Sequence, residues 1–193
     1  MLTTATIEAA VRNALTEDAP WGDLTGEVFV PAEATATAEL RAREDGVFAG
    51  GEVFAAAFAL TDPTIGVDVL VTDGESFSAG QVLASVSGPA RGVLRAERIA
   101  LNFTQRMSGI ATLTRAFVDA AGGRTRIADT RKTTPGLRAF EKHAVRCGAG
   151  TVIGSGSRTR SWSRTTTSAC SPAPAATSPP LCSRPGSGSG TRR

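Results

Sequence analysis

Residues 151–193 hold ten serines, seven threonines, five prolines and six arginines, with no acid and hardly a bulky apolar side chain. Such a segment cannot bury enough surface to offset the entropy of ordering it. Information for a packed fold is therefore confined to residues 1–150, and a disordered tail is expected over 151–193. The boundary also decides how charge is read. The chain carries a net +3, and removing the six tail arginines leaves −3 for residues 1–150, so the folding part has no basic surplus from which to argue binding to nucleic acid.

Composition excludes other classes. No run approaches the roughly 18 apolar residues of a membrane span, and residues 1–10 lack the basic start and apolar stretch of a signal peptide. A cytoplasmic protein without a membrane partner is expected. Cys147, Cys170 and Cys182 form no C-x-x-C pair, so reduced thiols are expected rather than a disulfide framework.

Hydrophobic periodicity outlines the elements. Ile7, Ala10, Val11, Ala14 and Leu15 recur at helical spacing, with Thr4 or Thr6 available as N-cap and Pro20 beyond the end. Residues 34–43 alternate, with Ala34, Ala36, Ala38, Leu40 and Ala42 on one face, as a half-buried strand does. Gly50-Gly51 opens a short apolar helix stopped at Asp62-Pro63, after which Val67, Val69 and Val71 alternate up to the Asp73-Gly74 turn. A mixed sheet with helices on one side follows from this pattern.

Residues 94–121 read as two helical stretches broken near Ser108-Gly109 and ended by Gly122-Gly123. A short strand over 125–128 then runs into Asp129-Thr130-Arg131-Lys132-Thr133-Thr134-Pro135-Gly136, too polar and turn-rich for anything but a loop, and a helix resumes with Leu137, Phe140, Ala144 and Val145. Strand, charged loop and helix make the beginning of a parallel βα unit, which gathers polar residues at the strand's carboxyl end. Arg131 and Lys132, flanked by the hydroxyls of Thr130, Thr133 and Thr134, suit carboxylate or phosphate oxygens. A solvated basic turn would have the same composition.

A family resemblance favours the anion site. D-T-R-K-T-T-P-G-L-R (129–138) with E-K-H-A-V-R-C-G-A-G (141–150) resembles the signature of quinolinate phosphoribosyltransferases. E-D-A-P-W-G-D-L-T (17–25), A-R-E-D-G-V-F-A-G (42–50), D-G-E-S-F-S-A-G-Q-V-L (73–83) and L-R-A-E-R-I-A-L-N-F (94–103) resemble it too, in the same order. The resemblance implies an α/β chain: an α+β, sandwich-like N-terminal domain over 1–105, then the first part of an incomplete α/β barrel over 106–150. It implies transfer of a phosphoribosyl group from phosphoribosyl pyrophosphate to quinolinate, giving nicotinate mononucleotide, pyrophosphate and carbon dioxide in NAD biosynthesis. Magnesium is the implied cofactor, with ligands outside this chain. The implied assembly is a homodimer in which Arg98 crosses to the partner's site. Thr130, Arg131 and Lys132 are the implied substrate-binding segment, with Lys132 the catalytic lysine, able to serve either anion.

Other residues read as structural. His143, where relatives commonly carry tyrosine, reads as packing; Cys147, taken to have no partner histidine in sequence reach, reads as a small buried side chain. Asp73 to Gly88 has the outline of a lipoyl-type hairpin without the turn lysine. Glu17, Asp18 and Asp23 read as turn-shaping and capping acids, so no metal ligand is assigned.

The tail departs from the family's continuation. Back-translated with GC-rich codons and read from the last base of the Gly150 codon, Thr151 to Ser171 gives H-R-H-R-F-G-L-A-D-A-V-M-V-K-D-N-H-L-S-V-L, which resembles that continuation. A one-base deletion near this codon, in the gene or its recorded sequence, is the expected cause, and resequencing the codon tests it. The chain as written is expected to be inactive, with a non-catalytic dimerisation or regulatory remnant, or a relative acting on another base, as the alternatives.

Overall fold

The computed structural model describes residues 2–152. The tail expected to be disordered therefore lies, beyond Val152, outside the described residues. Helix α1 (Thr4–Asp18) buries Ile7 and Val11, one turn apart, as the periodicity predicts. Its N-cap is Thr3 rather than Thr4 or Thr6. The Thr6 amide donates to Thr3 Oγ1 at 3.3 Å, so Thr6 occupies the donor end of the cap and not the acceptor end. Asp23 caps the short helix α2 (Leu24–Phe29) by accepting from the Gly26 amide at 3.0 Å.

Strand β1 (Thr35–Arg41) pairs with β5 (Val82–Pro89), which pairs on its other side with β3 (Gly66–Val69). Both ladders are antiparallel, with Ala38 opposite Val86 and Val67 opposite Val86. The sheet is thus antiparallel and not mixed: β3 turns back to β5 through residues 70–81, a connection that includes β4 (Ser76–Phe77). β4 itself pairs with β2 (Gly46–Val47) in a second, two-stranded ladder. The parallel pairing among the described residues lies elsewhere, between Ala128 and Thr151.

Helix α3 (Gly51–Thr61) is apolar on most of its surface and buries Val53, Phe54, Ala57 and Phe58. Gly50, at φ +106°, offers no side chain to cap it. Asp73 does so from a distant turn: its Oδ1 accepts from the amides of Gly50 and Gly51 at 2.9 and 3.0 Å. Two orphan donors at a helix N-terminus are satisfied by one carboxylate, with the favourable sign for the helix dipole.

Helix α4 runs without a break from Ala90 to Ala121. The interruption expected at Ser108-Gly109 is absent because a buried stripe, Ala96, Ala100, Thr104, Met107, Ala111 and Thr114, continues straight through it. Packing along 32 residues outweighs a glycine penalty of about 1 kcal/mol. Ser108 is instead used as glue. Its Oγ accepts from the Ala49 amide at 3.1 Å, while Thr112 Oγ1 accepts from Val47 at 2.9 Å, fastening β2 and the segment after it to α4.

Helix α5 (Arg138–Cys147) packs on α4 through buried Phe140 and Ala144, with the Phe103 and Phe140 ring centroids 5.2 Å apart. It ends at Gly148, where a Cβ would sit 2.4 Å from the Ala111 carbonyl oxygen and 2.6 Å from Thr114 Cβ. Only glycine permits this approach. Beyond it the Thr151 amide donates to Ile127 O at 2.8 Å, and the Asp129 amide to Thr151 O at 3.0 Å. The strand expected over 125–128 is thereby reduced to one bridge at Ala128, yet bridge, loop and α5 form the parallel β-α-β crossing that the polar loop suggested.

Candidate functional site

The polar loop leaves the bridge at Ala128 and enters α5 at Arg138. Hydroxyls shape it: the Lys132 amide donates to Thr130 Oγ1 at 3.2 Å, and Arg138 donates through Nε to Thr133 Oγ1 at 3.1 Å and through its terminal nitrogen to Arg131 O at 3.3 Å. Thr134-Pro135-Gly136-Leu137 closes it, with Leu137 donating to Thr134 O and Gly136 at φ +80°, as proline then glycine at the centre of a type II turn require.

A cavity of about 380 Å³ opens beside this loop, with Thr130, Lys132, Thr133 and Thr134 on one wall and Arg106, Asp129, Glu141 and Lys142 on the other. Its ion pairs sort the cations. Arg106 donates to Glu141 Oε1 and to Thr134 Oγ1, both at 2.5 Å, and Lys142 Nζ meets Asp129 Oδ2 at 2.5 Å with both side chains largely buried. Burial pushes Glu141 up, but hydrogen bonds from Arg106 and Thr134 more than offset this and hold its carboxyl below the usual range. Among the described residues, no carboxylate pairs with the Arg131 guanidinium or the Lys132 ammonium. Adjacent unneutralised cations at the end of a strand leave a local positive field suited to an anion.

Thr130 and Lys132 line the cavity, while Arg131 is exposed beside it and is not part of its wall. Arg98 is not brought to the cavity. It lies exposed on α4 and donates to Asp18 Oδ1 at 2.9 Å, and that carboxylate raises its already high affinity for the proton. Asp18, read as a turn-shaping acid, is its ion-pair partner. Arg106, Glu141 and Lys142 received no role in the sequence reading. Glu141 and Lys142 open the second block of the signature, whereas Arg106, 35 residues from its partner Glu141, carries no local signal.

His143 and Cys147 lie on the other side of α5. His143 Nε2 is 2.6 Å from Asp73 Oδ2, and Cys147 stands one turn on. Cys147 therefore has a histidine within sequence reach after all, at i−4, and both side chains are partly buried rather than packed away. The Asp73 carboxylate, and then Cys147, hold His143 up to about 9 against the opposing effect of burial. Burial pushes Asp73 up, but hydrogen bonds from His143, Gly51 and Gly50 outweigh it and leave the carboxyl low.

A larger groove of about 750 Å³ runs between the sheet and α4, lined by Leu40, Phe54, Phe58, Leu83 and Leu101. Size does not decide here. Its charged lining is Glu39, Arg41, Arg43, Glu44, Asp45 and Glu97, so acids outnumber cations there, and Arg41 is already paired with Glu39 at 2.6 Å.

Comparison with known proteins decides the family. Residues 23–108 match the model for the quinolinate phosphoribosyl transferase N-terminal domain, and residues 110–158 match that for the C-terminal domain. The chain belongs to the quinolinate phosphoribosyltransferase family. It is 47% identical over 160 residues to the carboxylating nicotinate-nucleotide pyrophosphorylase of Mycobacterium leprae, covering 78% of this chain and 55% of that one. It is 42% identical over 145 residues to a decarboxylating quinolinate phosphoribosyltransferase of Nicotiana tabacum, covering 75% and 41%. The crystal structure of NadC from Streptococcus pyogenes superposes with a TM-score of 0.77 at 39% identity, over 80% of this chain and 55% of that one. The chain thus spans about half the length of the curated family members it matches. No helix among the described residues is long and apolar enough to cross a membrane.

Proposed function

We propose that residues 129–134 form the dicarboxylate wall of a quinolinate phosphoribosyltransferase site. The observation that carries this reading is the contrast within the cavity: Arg106 and Lys142 are neutralised by Glu141 and Asp129, whereas Lys132 and neighbouring Arg131 have no carboxylate partner among the described residues. Quinolinate carries two adjacent carboxylates, and two adjacent cations supply charge and direction for them. Thr130 fixes the turn that presents Lys132. Arg98, which the family resemblance assigns to the partner's site, completes it from a second copy of the chain and exchanges its ion pair with Asp18 for a substrate carboxylate.

In the proposed reaction the ring nitrogen attacks the ribose anomeric carbon with its own lone pair, so no general base is assigned. The bond to pyrophosphate breaks and pyrophosphate leaves; the 2-carboxylate then departs as carbon dioxide, its C–C electron pair stays on ring carbon 2 beside the cationic nitrogen, and that carbon takes a proton from solvent. Lys132 serves as the catalytic lysine by countering anionic charge that develops beside the ribosyl cation. Magnesium, implied by the resemblance, finds no fitting site among the described cavity residues, because Asp129 and Glu141 are both taken up by cations. No step is routed through it. Residues 1–105 as an N-terminal domain, residues 106–150 as the start of a barrel, and a cytoplasmic setting complete the proposal; the parallel crossing around α5 supports the barrel assignment.

Titrating the full chain with quinolinate and with nicotinate at low salt tests the reading. Tighter, salt-sensitive binding of the dicarboxylate is expected, and equal binding of both acids, or none, would overturn it. Quinolinate-dependent pyrophosphate release by the same chain would overturn the expectation of inactivity drawn from the sequence.

A further inference from the structure

Helix α5 has two chemical faces. At about 100° per residue, Glu141, Lys142 and Val145 share the side that lines the cavity, while His143 and Cys147 fall together on the opposite side. There they meet Asp73. One carboxylate oxygen, one imidazole nitrogen and one sulfur lie within 4.8 Å of one another, and this is the sole such grouping of three found among the described residues.

We propose that Asp73, His143 and Cys147 bind one borderline divalent cation of the zinc type, with a solvent molecule in the fourth position. Donor chemistry selects the ion: sulfur and imidazole favour zinc or cobalt over magnesium or calcium. Bond lengths of about 2.0–2.3 Å put tetrahedral donors roughly 3.3–3.8 Å apart, a spacing between the 2.6 Å contact of Asp73 with His143, which must open, and the 4.8 Å within which all three donors lie, so side-chain adjustments of about 1 Å bring them onto one ion. The carboxylate is already oriented. Its Oδ1 is held by the Gly50 and Gly51 amides, leaving Oδ2 directed at His143, the kind of outer support that metal-binding carboxylates use. His143 and Cys147 are fixed by one helical turn, and the backbone of Cys147 abuts Gly74, whose added Cβ would lie 3.4 Å from the Cys147 carbonyl oxygen. On binding, the thiol proton and the proton between His143 and Asp73 pass to solvent. The bound ion ties α5 to the Asp73-Gly74 turn, and through it to the start of α3.

Cobalt(II) titration of the full chain, with Cys170→Ser and Cys182→Ser removing the other two thiols, reads the site directly. One equivalent should bind with a thiolate-to-cobalt charge-transfer band, and zinc should displace it. Cys147→Ser should abolish the band. Asp73→Asn and His143→Tyr should each weaken binding at least tenfold, with circular dichroism confirming that each variant is folded. Tyrosine keeps a hydroxyl for Asp73, so a purely structural role for His143 leaves cobalt affinity unmoved and the proposal fails. Failure of the parent chain to show a saturable band also overturns it.

Discussion

His143 Nε2 and Asp73 Oδ2, seventy residues apart in the chain, meet at 2.6 Å and join the first helix of the C-terminal half to the cap of α3. Their titrations give stability a defined pH window. His143 has a folded pKa of about 9 against 6.5 unfolded, so its contribution is complete below pH 6.5 and lost as pH rises through 9. Asp73 is shifted the other way, below 3.8, so its contribution is present above pH 3.8 and lost as pH falls. In chelator, the denaturant midpoint should be highest between about pH 4 and 6.5 and decline toward pH 9.5. The alkaline loss should be on the order of 1–2 kcal/mol, since solvent screens a partly exposed pair. His143→Gln should flatten the alkaline limb, and an unchanged limb would place its origin elsewhere.

Asp73 does two jobs that substitution can separate. Asp73→Ala removes the acceptor for Gly50 and Gly51 as well as the partner of His143, and should cost about 2–3 kcal/mol in urea unfolding. Asp73→Asn keeps an oxygen for the two amides, so its loss should be about half as large and confined to the pH range in which His143 is charged. Equal losses for both variants would mean that the cap contributes little.

Much of this was legible in the sequence, and the gaps have one cause. Alternation marked β1, 3.6-residue spacing marked α1, an apolar run between Gly50-Gly51 and Asp62-Pro63 marked α3, and the polar loop marked the cation pair. Each is a local signal. Helix α4 was misread because Gly109 is a local signal that a long buried stripe overrides, and α2 drew no reading because six residues are too few for a period to show. Arg106 with Glu141, Lys142 with Asp129, and His143 with Asp73 are meetings across 35, 13 and 70 residues, which only the packed fold reveals.

Gly148 measures how tightly α5 is seated. A Cβ there would lie 2.4 Å from a backbone carbonyl oxygen and 2.6 Å from Thr114 Cβ, neither of which can swing aside as the end of a flexible side chain can. Gly148→Ala should destabilise by about 2 kcal/mol or more. Hydrogen exchange should show the loss concentrated in α5 and the adjoining turn of α4. Tolerance of alanine would mean that the two helices pack less closely.

The division of cations in the cavity gives the sharpest test of the site. Lys132 pairs with no carboxylate among the described residues, so Lys132→Ala should leave the unfolding midpoint unchanged while lowering quinolinate affinity about tenfold, or roughly 1.4 kcal/mol. Arg131→Ala should behave similarly, and Lys132→Arg should recover part of the affinity because charge is retained. Arg106→Ala should do the reverse. It strips Glu141, whose side chain is only 15% exposed, of its cation, and should lower stability by about 1–2 kcal/mol. Its effect on quinolinate binding should follow the loss of fold and disappear at saturating stabiliser. Paired calorimetric titration and urea unfolding for the four variants separate these outcomes. If Arg106→Ala abolishes binding in a fully folded chain while Lys132→Ala does not, the anion site lies on the α4 wall and not on the loop.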